Sequence, residues 1–195
     1  RNNSTISDII WILSEVFEFF LLFHVAVPLI ICEIPFIKKK FEFNRLTLII
    51  GSLLPDFIDK SLLFMNIGFG RGFSHTILFS LICVVIIYFI VKKKTSIAIP
   101  FFLGLILHLI LDLPEVPLFY PFIAYDFLVV EDPLGLWLYK LFNDPGVYWT
   151  EIAGILILTF ISINNRLFNW KNLVRFLKRN TALENNQNTT EPYKV

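Results

Sequence analysis

Five long apolar segments decide what this chain can fold into. They cover roughly residues 17–37, 46–66, 73–91, 97–113 and 147–163. At about 1.5 Å per helical residue, each can cross or nearly cross a bilayer core about 30 Å thick. Only 17% of the 195 residues are charged, against about a quarter in soluble domains. We therefore predict an all-α, polytopic membrane helical bundle of about five spans.

The second segment is the least regular of the five. Its apolar run is interrupted by Gly51, Pro55, Asp56, Asp59 and Lys60. Irregular backbone at membrane depth is tolerated where it is buried in protein or lines a water-filled cavity. We therefore predict that this second helix is broken.

The C-terminal part differs in composition from the apolar segments. Residues 166–179 predict a basic amphipathic helix at the membrane surface, with Trp170 on its apolar face. Residues 181–195 are polar and rich in asparagine, which predicts a disordered tail. We expect a single transmembrane domain over residues 1–180, followed by that tail.

Basic residues follow alternate segments, and this pattern predicts an orientation. Lys38–Lys40 and Arg45 follow the first segment, Lys92–Lys94 follow the third, and the basic helix follows the fifth. Five alternating spans place these clusters on one side, which the positive-inside rule makes cytoplasmic. The expected location is the cell membrane, with the N-terminus outside and the basic loops and C-terminus in the cytoplasm. A net charge of +1 gives no indication of nucleic-acid binding.

Histidines and aspartates are placed where they are most costly, inside or beside the apolar segments. They are His24, His75, His108, Asp56, Asp59 and Asp112. Counting about 1.5 Å per residue from the span ends puts all of them in the outer half of the membrane. An intramembrane group of imidazoles and carboxylates is a functional-site hypothesis by default. These donor types predict a metal site.

Helical spacing pairs several of these residues. His108 and Asp112 are i and i+4, so they project from one face, either as two ligands or as a polar pair that satisfies itself. Asp56 and Asp59 are i and i+3. They could bridge two ions, or one could bind an ion while the other acts as base. Alternatively, Asp56 caps a half-helix and Asp59 pairs with Lys60 or Arg71.

Three further residues have both a functional and a structural interpretation. Arg71 lies four residues before His75 and is either a clamp for an anion such as phosphate or an interfacial arginine. Glu151 is either a general base or partner of the site, or an acid at a helix start. His24, alone on its apolar helix, is either a ligand or a satisfied core residue.

Four motifs resemble those of the integral-membrane metal-dependent hydrolases, a prokaryotic family of the LexA-regulated inner-membrane type. In chain order they are an early histidine in an apolar helix, GSLLPDFIDK, GRGFSHTILF and LGLILHLILDLP. The resemblance covers roughly residues 20–122 and is strongest to archaeal members. Many members read PD-x-D where this chain reads PDFID. The family's motif positions fall on His24, Asp56, Asp59, Arg71, His75, His108 and Asp112.

The expected function is membrane-embedded hydrolysis of an ester or phosphoester in a small-molecule or lipid-like substrate. Imidazole and carboxylate ligands suit zinc, with manganese or iron as alternatives, and such an ion lowers the pKa of a bound water to about 7. The expected ligands are His24, Asp56, Asp59, His75, His108 and Asp112. The expected catalytic residues are Asp59 as general base, Arg71 as anion clamp and Glu151.

The alternative is a non-catalytic metal-binding membrane protein or an ion carrier. A carrier opens its site to both membrane faces and often contains internal repeats. The sequence has no evident repeat, and its polar groups fall on one predicted side. This favours the hydrolase over the carrier, but does not separate it from an inert metal site.

Overall fold

The described part of the chain consists of helices joined by turns and loops. The computed structural model describes residues 21–40, 44–65, 67, 71–114, 116–125, 127, 135, 139 and 142–178. Its seven α-helices are α1 (Leu21–Glu33), α2 (Pro35–Lys40), α3 (Arg45–Phe64), α4 (Ile77–Ile90), α5 (Thr95–Leu111), α6 (Pro145–Asn164) and α7 (Trp170–Lys178). A 3₁₀ turn, Phe73–His75, precedes α4. The predicted all-α class is confirmed, whereas the predicted tail at 181–195 lies outside the described residues.

The longest apolar helix is α6. Among the described residues it alone has the length and composition to cross a membrane, with a mean hydropathy of 1.7 over its most apolar stretch. Helices α1, α4 and α5 are also apolar but have 13, 14 and 17 residues. Helix α3 has 20 residues, begins with Arg45 and carries Asp56, Asp59 and Lys60 in its C-terminal half.

The predicted break in the second segment is wrong. Helix α3 runs without interruption through Pro55. Proline removes one backbone donor, so the carbonyl four residues earlier, that of Gly51, loses its helical partner. The neighbouring segment binds α3 through other groups. The Ser74 hydroxyl donates to the Pro55 carbonyl at 2.7 Å, and the Asp59 carboxylate accepts the Gly72 backbone N–H at 2.6 Å. These two bonds attach residues 72–74 to the part of α3 that follows the proline.

Helices α3 and α5 pack with their backbones nearly in contact. A Cβ atom on Gly104 would lie 2.2 Å from the Leu48 carbonyl oxygen, and one on Gly51 would lie 2.1 Å from that of Phe101. Small residues permit this approach between helices in membranes. The close pairing fixes the N-terminal half of α3 against the middle of α5.

Helix α1 packs against α3 and against α6. A Cβ atom on Gly154 of α6 would lie 2.8 Å from the backbone nitrogen of Phe23, so this contact also needs glycine. Towards the other end of α1, Leu29 packs with Ile161 of α6 and Phe176 of α7 in one buried cluster. Helix α1 is thus held along its length between neighbouring helices.

Arg45 is buried and does not form part of an exposed basic cluster. It is 2% exposed, and its Nη2 donates to Glu33 Oε1 at 2.5 Å. Its Nη1 donates to the Phe176 carbonyl at 3.2 Å, and the guanidinium lies 4.3 Å from the centroid of the Phe176 ring. Because both charges are paired out of solvent, Arg45 ties the end of α1 and helix α7 to the start of α3.

The basic C-terminal helix is shorter than predicted. It begins at Trp170 rather than at 166, because the chain turns after α6 through Arg166, which has a φ of 51°. Phe176 is its buried residue, whereas Trp170, predicted on the apolar face, is 75% exposed. The contact with Arg45 sets which face of α7 packs inward.

We expect Gly104→Ala to destabilise the protein by about 1–3 kcal/mol, because the added methyl would force the backbones of α3 and α5 apart. Thermal unfolding of the purified protein in detergent measures this as a fall in Tm. Ile110→Leu, at a half-exposed position of α5, is the matched control. Equal Tm values for the two variants would contradict the close helix contact.

Candidate metal centre

Side chains from four parts of the chain meet in one buried group, here called the His–Asp cluster. Its members are His24 of α1, Asp56 of α3, His75 of the 3₁₀ turn, His108 of α5 and Asp112 directly after α5. None of the five is more than 5% exposed. The structure therefore brings together residues that lie as far as 88 positions apart in sequence.

Asp112 makes most of the contacts within the cluster. Its Oδ1 lies 2.8 Å from His24 Nε2, and its Oδ2 lies 3.0 Å from His108 Nε2 and 3.5 Å from His75 Nε2. The Nε2 atoms of His75 and His108 are 3.1 Å apart, and His75 Nε2 is 3.5 Å from Asp56 Oδ1. Six possible ligand atoms, from five residues, thus face one small volume.

This arrangement fits a metal ion. Two overlapping groups could hold one, His24 with His108 and Asp112, and Asp56 with His75 and His108, and within each the ligand atoms lie within 4.8 Å of one another. Bonds of about 2.0–2.2 Å to a common ion separate neighbouring ligand atoms by about 3–3.5 Å, close to the spacings in the cluster.

Two carboxylate oxygens of the cluster also indicate a cation. Within the described residues, Asp56 Oδ1 and Asp112 Oδ2 are buried and make no hydrogen bond of acceptable geometry, although nitrogens lie close to both. A buried carboxylate oxygen left in this state is costly. Asp56 and Asp112 belong to different ion-holding groups, and a cation bound in either group would satisfy the carboxylate oxygen of that group.

Asp59 lies behind His75 and not among the donor atoms of the cluster. Its Oδ2 accepts from His75 Nδ1 at 2.7 Å and from the Gly72 backbone N–H at 2.6 Å, and its Oδ1 accepts from the Ser74 backbone N–H at 3.4 Å. A carboxylate on Nδ1 fixes the ring and leaves the Nε2 lone pair for a ligand. Neither group that could hold an ion includes Asp59. The geometry is that of a positioning residue.

Lys60 is the partner of Asp56, which the sequence reasoning missed. Its Nζ lies 3.2 Å from Asp56 Oδ1, and Lys60 is 8% exposed. In the structural alternative of the sequence analysis, Lys60 was a partner of Asp59. The i, i+4 spacing between Asp56 and Lys60 on one helix was the available signal.

Arg71 and Glu151 lie outside both ion-holding groups. Arg71 is 4% exposed and directly precedes Gly72, whose N–H binds Asp59. Glu151 is partly buried on α6, and its Oε1 accepts the backbone N–H of Phe23, the residue before His24, at 3.4 Å. Both therefore adjoin residues that position cluster histidines, and their catalytic roles stay predictions.

Two buried serines hold the cluster's backbone in place. The Ser52 hydroxyl donates to the His24 carbonyl and so ties α1 to α3. The Ser74 hydroxyl ties the 3₁₀ turn to α3 through Pro55, and both serines are 0% exposed. Sequence reasoning missed Ser52, although it precedes Asp56 by four residues and so shares its helix face.

Comparison with known proteins identifies one family. A family model described as YdjM inner membrane protein matches residues 21–173. The matched range is more than half of the chain and contains every member of the His–Asp cluster. No curated protein and no solved structure matches the chain.

We expect Asp59→Ala to lower the free energy of unfolding by about 3–5 kcal/mol, because it leaves buried N–H groups without their acceptor. Asp59→Asn retains one acceptor oxygen and is expected to cost less. Thermal unfolding in detergent compares both with Ser61→Ala, a change on the same helix away from His75. A Tm for Asp59→Ala equal to that of the control would contradict the hydrogen bonds assigned to Asp59.

Proposed function

The chain belongs to the YdjM inner membrane protein family, and from its buried His–Asp cluster we propose that it is a membrane-embedded, metal-dependent hydrolase. The substrate class is an ester or phosphoester of a lipid-like or amphiphilic molecule. Hydrolysis bonds the oxygen of water to the acyl carbon or phosphorus, breaks the ester bond to the alcohol, and transfers a proton to the departing alcohol oxygen.

The observation that carries the proposal is the convergence of three imidazoles and two carboxylates. Their nearest ring nitrogens and oxygens are separated by 2.8–3.5 Å, in the interior of an apolar helical protein. Polar groups buried in a membrane protein are costly and mark functional sites. A purely structural polar network does not need donor atoms at ligand spacing with carboxylate oxygens left without hydrogen bonds.

The ligands in this proposal are His24, Asp56, His75, His108 and Asp112. Imidazole and carboxylate donors suit zinc, with manganese or iron as alternatives. When bound, such an ion would supply Lewis-acid polarisation of the scissile group and a water of lowered pKa. The chain's own cations adjoin this centre: Lys60 contacts Asp56 directly, and the buried Arg71 lies in the segment that wraps Asp59.

In the mechanism, Asp59 is best placed to position His75. Its oxygens accept from Gly72, Ser74 and His75, which holds the imidazole with Nε2 directed into the cluster. That arrangement favours the positioning role over the general-base and ligand roles expected from the sequence. Glu151 is then the next acid to consider as base, because it contacts the backbone beside His24.

The proposed membrane arrangement keeps the five predicted spans, now assigned to α1, α3, α4, α5 and α6. Large apolar side chains point away from the protein on α4 and α6, where Ile90 and Leu156 are 68% and 64% exposed. Such surfaces suit lipid better than water. His75 precedes α4 and Lys92 follows it, so the cluster and the basic loop lie at opposite ends of that helix. The positive-inside rule then directs the cluster outwards.

Topology is tested by cysteine labelling in a background without the native Cys32 and Cys83. We expect Lys93→Cys to react with a membrane-impermeant maleimide from the cytoplasmic side only, because the lysine loop stays inside. Phe122→Cys, at an 81% exposed position beyond α5, is the control for the outer side. Labelling of Lys93→Cys in intact cells would contradict the orientation.

Metal content and turnover are tested together. We expect purified protein to retain a divalent metal and to hydrolyse members of a panel of phosphoesters and carboxylic esters. His108→Ala should lose both properties, because it removes a central donor and leaves Asp112 uncompensated. Ser80→Ala, which removes a buried hydroxyl bonded to Thr76 outside the cluster, should keep both. A metal-loaded protein inactive on the whole panel would instead indicate an inert metal site.

Asp59→Asn separates the two roles considered for Asp59. A positioning role predicts metal affinity lower by about 10–100-fold, with turnover recovered at saturating metal. A general-base role predicts turnover lower by about 10²–10⁴-fold even when the metal site is full. Metal titration followed by kcat at saturation distinguishes these outcomes, and we expect the first.

A further inference from the structure

An apolar groove on the surface of α3 borders the His–Asp cluster at Asp56. Leu21 of α1 and Leu53, Phe57 and Phe64 of α3 form its apolar walls, and its volume is about 340 Å³. The α3 residues recur every three to seven positions and so follow one helix face. Asp56, a member of the cluster, lies on the same wall. The groove therefore borders the candidate metal centre at Asp56.

The groove has the properties of a site for an alkyl chain. Leu21, Phe57 and Phe64 are 43%, 71% and 50% exposed, so the groove opens on the outer surface of the helices. In the proposed membrane arrangement that surface faces lipid. Its volume is near the lower end of small-molecule pockets, about 300–1,000 Å³, which suits a chain with a compact head group.

The groove is also lined by the ammonium group of Lys60, which is paired with Asp56 of the cluster. Lys60 lines the groove, and its Nζ lies 3.2 Å from Asp56 Oδ1, the same oxygen that lies 3.5 Å from His75 Nε2. A lysine ammonium has three donors and binds phosphoryl oxygens as a compact point charge. An anionic head group at Lys60 would therefore lie next to the donor atoms that could hold the ion.

We infer that this groove binds an amphiphilic phosphoester, with its alkyl chain along Phe57 and Phe64 and its anionic phosphoryl group at Lys60. The inference rests on the proposed hydrolase and names the substrate class of the same site. The reaction forms a bond from the water oxygen to phosphorus and breaks the P–O bond to the alkyl alcohol. The proton ends on that alcohol, and inorganic phosphate or a phosphomonoester leaves the site.

Binding is measured separately from turnover with dodecylphosphonate, whose P–C bond is not hydrolysed. Calorimetric titration of the full chain, at one fixed concentration of a neutral detergent, compares three probes. Methylphosphonate has the head group without the chain, and dodecyltrimethylammonium has the chain with the opposite charge. We expect dodecylphosphonate to bind at least about tenfold tighter than either, because only it uses both parts of the groove.

Three substitutions on α3 locate the binding site. Leu53→Trp fills the groove and should weaken dodecylphosphonate binding by about tenfold or more. Lys60→Met should remove the preference for the anionic over the cationic probe, and Lys60→Arg, which keeps the charge, should retain it. Ile50→Trp adds the same bulk at a half-exposed position that does not line the groove. It should bind as the wild type does.

Several results would overturn the inference. If Leu53→Trp binds dodecylphosphonate as tightly as the wild type does, the groove is not the binding site. If dodecylphosphonate does not bind and Leu53→Trp lowers Tm more than Ile50→Trp does, another segment of the chain occupies the groove. If dodecylphosphonate does not bind and Leu53→Trp changes the oligomeric state, a second copy of the chain occupies it.

Hydrolysis of dodecyl phosphate by metal-loaded protein separates the two proposals. Turnover without the expected binding pattern would overturn the groove and leave the hydrolase standing. The expected binding pattern without turnover would overturn the hydrolase and leave an amphiphile-binding site.

Discussion

The cost of burying histidines and carboxylates in an apolar protein is the constraint on which this structure depends. The members of the His–Asp cluster are shielded from solvent, so their polar contacts come from one another and from neighbouring buried groups. Asp112 is central, because its two oxygens contact histidines from α1 and α5. The helices that carry these residues must therefore approach closely, and the glycines between α3 and α5 and between α1 and α6 permit that approach.

The grouping of the cluster could be predicted from the sequence, because helical spacing and span depth both place its members at one end of the bundle. The side of His75 on which Asp59 lies could not be predicted. It depends on how the 3₁₀ turn folds back onto α3, where Gly72 and Ser74 also bind Asp59. The spacing of residues along a helix does not predict how a later segment folds back onto that helix.

The continuity of α3 and the burial of Arg45 could not be predicted from the sequence either, because both involve residues that are distant along the chain. A proline among charged residues normally indicates an interruption, and the hydroxyl that binds the Pro55 carbonyl belongs to Ser74, 19 positions away. Arg45 follows a run of lysines and so resembles one more surface charge. Its partners include the carbonyl of Phe176, 131 positions away, which no local pattern predicts.

The pairing of α1 with α6 has a consequence for biosynthesis. His24 is on the first described helix, yet the glycine contact beside it is made by α6, which ribosomes synthesise more than 100 residues later. A nascent chain released before α6 would contain all five residues of the cluster. Helix α1, which carries His24, would however lack its neighbour α6. Assembly of the donor set is thereby linked to completion of translation, so truncated products are at a disadvantage in acquiring the assembled centre.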